Sequence, residues 1–298
     1  MSTEKQLREQ YPSGSLGRPQ PLGESLPTIT IQRTQGWSPI KLKELFEFRE
    51  LLYFLIWSDL KVRYKQTVLG AAWAIIQPLA VMVVFAVFFG LVVRVPTGEI
   101  PYPIFAYSGL VVWTYFANSL SRASDSILDH ESLITKVYFP RLLIPVAAVM
   151  AGLVDFAIAF AVLVALVISY GFVPTAAVLT LPLFVLLAVM TALAVSLWLS
   201  ALNAQYRDIR FLVPVLVQLW FFSTPIIYPT DLIPEGWRTL YEVLNPMVGV
   251  VESFRWALLG TGEPPSITLL ISVVMVTAIF VSGLYYFRKM EKIFADVV

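Results

Sequence analysis

Residues 71–93 read AAWAIIQPLAVMVVFAVFFGLVV, 23 positions without a charge. A helix rises about 1.5 Å per residue, so this run can cross the roughly 30 Å of hydrocarbon in a bilayer. Five further charge-poor runs follow: Ile104–Leu120, Leu142–Tyr170 with Asp155 as its one charge, Val173–Leu202, Phe211–Pro229 and Pro264–Phe287. Ile104–Leu120 is the weakest of them. Lipid offers no hydrogen-bond partner to a backbone, so each run reads as a helix. Composition agrees, with 58% hydrophobic and only 14% charged residues, where a soluble domain carries about 25% charged. The expected fold class is an all-α polytopic membrane protein with six transmembrane helices.

Upstream, Ile40–Lys65 reads as a helix that lies in the membrane interface. Leu42, Leu45 and Phe46 share one face, with Lys43, Glu44 and Glu47 elsewhere. Its all-apolar middle, Leu51–Trp57, is too short to cross. Residues 1–36 are polar and rich in Pro, Gly, Ser and Gln, without an apolar signal segment. They read as a weakly ordered or disordered cytoplasmic tail, with 37–298 as the transmembrane domain.

Orientation follows from Lys and Arg, which concentrate on the cytoplasmic side. Ten precede the first run. Arg122, Lys136 and Arg141 follow the second, Arg207 and Arg210 follow the fourth, and Arg288, Lys289 and Lys292 follow the sixth. The opposite side holds Arg94, Arg238 and Arg255. Eighteen against three places both termini in the cytoplasm of a cell with this chain in its inner, plasma, membrane. On the outer side, Thr230–Glu263 is too polar for a span and too apolar for an ordinary loop, with breaks at Pro234, Gly236 and Asn245-Pro246. It reads as two short re-entrant helices between spans five and six, a backbone tolerated only against protein or a water-filled cavity.

Several chemistries are excluded. The chain has no cysteine and a single histidine, His130, which removes thiol chemistry, His-rich metal sites and a His-based triad. No phosphate-cradling G-x-x-x-x-G-K-[S/T] occurs, and no D-x-D that would hold a metal-bound sugar nucleotide. Asp125 and Asp129 are one helical turn apart, a face rather than a metal bite. The chain has neither its own energy source nor its own catalyst, as a transporter driven by a partner would.

Four constellations remain. Residues 121–141 interleave Ile127, Leu128, Ile134, Val137 and Tyr138 with Asp125, Asp129, Glu131 and Lys136. A short helix here would offer an apolar ridge to a groove on a soluble partner, or lie against the membrane. Asp155 is an intramembrane carboxylate, costly without a role. Its candidate partners are Gln77, Asn118, Gln218 or water, or it is protonated; it reads either as a proton or substrate site or as a hydrogen-bonded structural group. Phe85, Phe88 and Phe89 in the first run and Trp220, Phe221 and Phe222 in the fifth could line a path on which sugar rings slide. Interfacial belts are the alternative, better suited to Tyr102, Tyr107, Trp113 and Tyr228. Arg207, Asp208 and Arg210 form either a cytoplasmic salt-bridge latch or a helix-end anchor.

Four separated stretches together carry a resemblance: DLKVRYKQTVLGAAWAIIQP (59–78), ITKVYFPR (134–141), Tyr206–Arg210 followed by Pro214, and FSTPIIYP (222–229). They are similar, in order over about residues 40–295, to ABC-2 type permeases of the polysaccharide and polyol-phosphate export subfamily, which includes O-antigen exporters. The resemblance implies a homodimer bound to two ABC ATPase subunits. On it, the 121–141 loop supplies the coupling helix, with Ser126, Ile127, Asp129, His130, Glu131, Ile134 and Lys136 at the ATPase. It further implies that Lys41–Lys65 flanks the pore, that ATP and Mg bind the partner and no cofactor binds this chain, and that a lipid-linked glycan is threaded outward among membrane lipids. No nucleic-acid partner is implied. An ABC-2 exporter of a small drug or lipid, or a membrane glycan-processing enzyme, is the alternative.

Overall fold

The computed structural model describes residues 46–65, 70–172, 175–260, 264–265, 267–291 and 294. The 1–36 tail, the first half of the interface helix with Leu42 and Leu45, and Glu263 lie outside the described residues. Every regular element described is helical. In chain order these are α1 Arg49–Tyr64, α2 Trp73–Phe85 running into a π-helix Ala86–Val92, α3 Tyr102–Asp129 and α4 Glu131–Lys136. There follow α5 Leu143–Ser169, α6 Leu181–Gln205 after a short 3-10 turn, α7 Ile209–Phe222, α8 Glu235–Leu244, α9 Pro246–Leu259 and α10 Ile267–Glu291.

Among the described residues, four helical stretches are long and apolar enough to cross a membrane: Trp73–Val92, Leu143–Ser169, Ala176–Gln205 and Ile267–Glu291. α7 is apolar but only 14 residues long. The fifth apolar run of the sequence therefore stops being helical at Phe222. Pro225 and Pro229 lack the N–H a continuing helix needs, and Thr224 turns back to donate to the Trp220 carbonyl at 2.8 Å.

α3, the weakest run in the sequence, is the centre of the molecule. Nineteen of its 28 residues are buried, and α5 and α6 pack along both its sides. Its serines and Asn118 lower its hydropathy, but its neighbours are protein, so a low preference for lipid is no bar to a central place. At about 1.5 Å per residue it is some 42 Å long, so residues 121–129 are the end of α3 and not part of a separate short helix. α3 and α5 meet at Gly152, where a Cβ would lie 2.6 Å from Ser119 Oγ. Tyr102, Tyr107 and Trp113, which the sequence assigns to interfacial belts, are instead in this core, with Tyr107 fully buried.

α1 begins with Glu50 and ends with Lys61 and Arg63, charges that complement the helix dipole. Only Leu55 is buried; Tyr53, Phe54 and Trp57 are exposed. The polar 230–263 segment forms two α-helices among its described residues, broken at Asn245-Pro246. α8 exposes Trp237, Leu240 and Leu244, whereas α9 is almost wholly buried.

Candidate functional site

The two aromatic sets of the sequence meet. Phe85 packs on Phe89 at 5.7 Å and on Phe221 at 5.9 Å between ring centroids. Phe221 also meets Trp113 at 5.7 Å and Phe222 at 5.3 Å. Phe116 of α3 stands edge-on to Trp220 at 5.0 Å. Residues 136 positions apart thus form one aromatic seam between α2, α3 and α7. Phe222 is its exposed member, and it and the exposed Phe88 belong to the apolar faces that α2 with its π-helix and α7 leave uncovered.

The end of α7 is held by two polar side chains that sequence reasoning passed over. Asn245 accepts from Trp220 Nε1 at 2.8 Å and from the Met247 amide at 3.1 Å, capping α9. It donates to the Ser223 carbonyl at 2.7 Å and to Thr224 Oγ1 at 3.1 Å. Arg255, 3% exposed, donates to the carbonyls of Pro225 at 2.6 Å, Ile226 at 2.8 Å and Phe105 at 3.1 Å. It also reaches Ser108 Oγ and Glu252 Oε1, each at 3.3 Å, and stacks on Phe105 at 3.7 Å. Gly109 leaves room for it, since a Cβ there would lie 2.6 Å from Arg255 Nη2. One guanidinium thus fixes the 222–229 motif to α3 and α9. A lone cation in the apolar stretch of α9 is the signal the sequence offers for it.

Asp155 does not have the neutral partners expected of it. Arg63 Nη1 donates to one carboxylate oxygen and the Tyr64 hydroxyl to the other. Arg122 stands 3.9 Å away, and Asp59 accepts from Arg63 at 2.8 Å. These partners come from outside the spans, because α1 packs its C-terminal end against α5. Gln77 and Asn118 line the same small cavity of about 150 Å³; Gln218 does not. Burial, and then the bond to Asp155, push the Tyr64 hydroxyl up to about 12, so it donates at neutral pH.

At the Asp129 end of α3, two residues of the expected docking ridge face inward. Ile127 is fully buried and Ile134 nearly so, both packed into the chain's own core with Leu55, Leu143 and Phe287. Ser126 is buried as well, and His130 Nδ1 lies 2.9 Å from the Ser126 carbonyl. The outward surface is Asp129, Glu131, Ser132, Thr135, Lys136, Val137 and Tyr138, the last 97% exposed. Arg141 then ties this segment to α10 by donating its amide to Glu291 Oε1 at 3.0 Å.

Of the expected latch, Arg207 and Asp208 are exposed, while Arg210 reaches Asp125 at 4.0 Å. Asp125 lies past the apolar part of α3 and accepts from Asn203 at 2.8 Å. Burial pushes its carboxyl up, against the pull of Asn203 and Arg210. The contact joins the start of α7 to the C-terminal end of α3.

Residues 50–259 match the model of the ABC-2 type transporter family. The chain belongs to that family. It is therefore a transporter membrane subunit and not an enzyme. Among ABC-2 permeases it is 34% identical over 256 residues to the O-antigen export system permease protein RfbA of Myxococcus xanthus, covering 84% of this chain and 96% of that one. The protein of the same name from Klebsiella pneumoniae is 33% identical over 254 residues, 84% of this chain and 95% of the relative. The polysialic acid transport protein KpsM of Escherichia coli is 23% identical over 238 residues, covering 79% and 92%.

Proposed function

We propose that this chain is the permease of an ATP-driven exporter that carries a lipid-linked, O-antigen-like glycan from the cytoplasm to the outer face of the inner membrane. The observation that carries it is the similarity to O-antigen permeases along 96% of the relative's length, joined to an aromatic seam that runs into uncovered apolar faces. Two copies of the chain bring the exposed faces of α2 and α7 together, and the conduit lies between them, with Phe88 and Phe222 at its wall. Sugar C–H groups slide over flat rings without deep binding wells.

Six crossings are counted in this reading. α2 with its π-helix, α3, α5, α6 and α10 are five, and α7 with the folded 223–229 segment is the sixth. Both termini are cytoplasmic, with residues 1–36 a tail before the transmembrane domain. α8 and α9 are re-entrant, with Trp237, Leu240 and Leu244 toward the interface. α4 and its exposed flank, Glu131–Tyr138, dock on an ABC ATPase that binds ATP and Mg; this chain binds no cofactor of its own. Movement there passes through α3 and the Asp125–Arg210 contact to α7. Asp155 is the clasp that holds α1 against α5.

The test is co-purification of the chain with a co-expressed ABC ATPase, followed by ATPase assays with lipid-linked glycan. A stable complex whose turnover rises with the glycolipid is expected. A chain that recruits no ATPase, or an ATPase stimulated by small drugs and not by glycolipid, would overturn the reading.

A further inference from the structure

On what the reading above makes the outer side, beyond the aromatic seam, a cavity of about 500 Å³ opens between the 96–100 turn, α8, α9 and the start of α10. Its walls include Glu99, Asp231, Arg238, Glu242, Glu252 and Thr268. Pro229–Asp231, one of those walls, continues directly from the 222–229 motif at the end of α7. The cavity therefore adjoins the exit of the path. We propose that it is a glycan subsite that takes neutral sugar units, a proposal that rests on the exporter reading.

Three features of the lining select the ligand. Arg238 lies 3.3 Å from both Asp231 and Glu242, and Glu252 accepts from Arg255 at 3.3 Å. Each carboxylate has about four acceptor positions and these pairs fill few of them. Sugar hydroxyls, which donate and accept, suit such paired charges and form charge-assisted hydrogen bonds with them. Among the described residues of the lining, an acidic sugar meets four carboxylates against two guanidiniums, and Arg255 is already committed to backbone carbonyls; like charges at this range repel. An apolar ligand would strip water from the charges and return nothing. The volume is within the range of small-ligand sites, about 300–1,000 Å³, and holds a sugar unit or two.

The experiment uses the permease–ATPase complex in nanodiscs and saturation-transfer NMR with two probes, methyl lactoside as the neutral disaccharide and disialic acid as the acidic one. Saturable binding of methyl lactoside is expected, weakened at least about tenfold by Glu242→Gln and by Thr268→Trp, with no signal from disialic acid. Equal binding by wild type and both variants, or disialic acid bound as well as methyl lactoside, would overturn the subsite. ATP-driven export of the whole glycolipid is measured on the same preparations. Wild type that exports but binds neither disaccharide refutes the subsite alone; wild type that exports no glycan refutes the exporter reading beneath it.

Discussion

Arg255 and Tyr138 are opposite cases at the scale of single residues. Arg255 is buried and satisfies three backbone carbonyls, so Arg255→Ala leaves acceptors and a cavity without partners. A loss of about 3–5 kcal/mol is expected, and Arg255→Lys, with fewer donors and no planar fork, loses about 1–3 kcal/mol. Thermal unfolding of the detergent-purified chain, wild type against both variants, checks the order. Tyr138 is almost fully exposed, so Tyr138→Asp leaves that midpoint unchanged while weakening ATPase capture at least about tenfold. Ile134→Asp, by contrast, puts a charge into the core and lowers the yield of folded protein. Pull-down of the ATPase, beside size-exclusion profiles, separates the two. The sequence could not rank these residues, because Ile134 and Tyr138 sit in the same short amphipathic stretch. Only the fold decides which one turns inward.

Between elements, the clasp of α1 on α5 and the seam between α2, α3 and α7 carry the argument. Asp155→Asn removes the ion pair with Arg63, at a cost of about 1–3 kcal/mol. Hydrogen exchange in residues 49–64 should then quicken while exchange in α3 stays slow; uniform quickening would mean that Asp155 supports the whole fold and not this clasp. Phe221→Ala opens the seam, and ATP-driven export should fall several-fold with the ATPase still bound. Unchanged export would remove the seam from the path. Helices were legible because charge-free runs near the thickness of a bilayer admit little else, and the Asn245-Pro246 break was legible because proline ends what precedes it. The centrality of α3 was not, because hydropathy measures preference for lipid and α3 is surrounded by protein. The Asp155 partners were hidden for a related reason: Arg63 is distant in sequence and lies in a helix read as interfacial.

For the molecule as a whole, the apolar faces of α2 and α7 are left uncovered, and the flank at Val137 and Tyr138 lacks a cover as well. The first suits a second copy of the chain around a conduit, the second a soluble motor. On the reading proposed above, this chain is the path and a second subunit burns the fuel. The direct measurement is translocation of a lipid-linked glycan in proteoliposomes, read by lectin access from the far side. The account predicts transport with permease and ATPase together, dependent on ATP, and none with either alone. Transport by this chain without an ATPase, or a complete complex that hydrolyses ATP and moves no glycan, would contradict it.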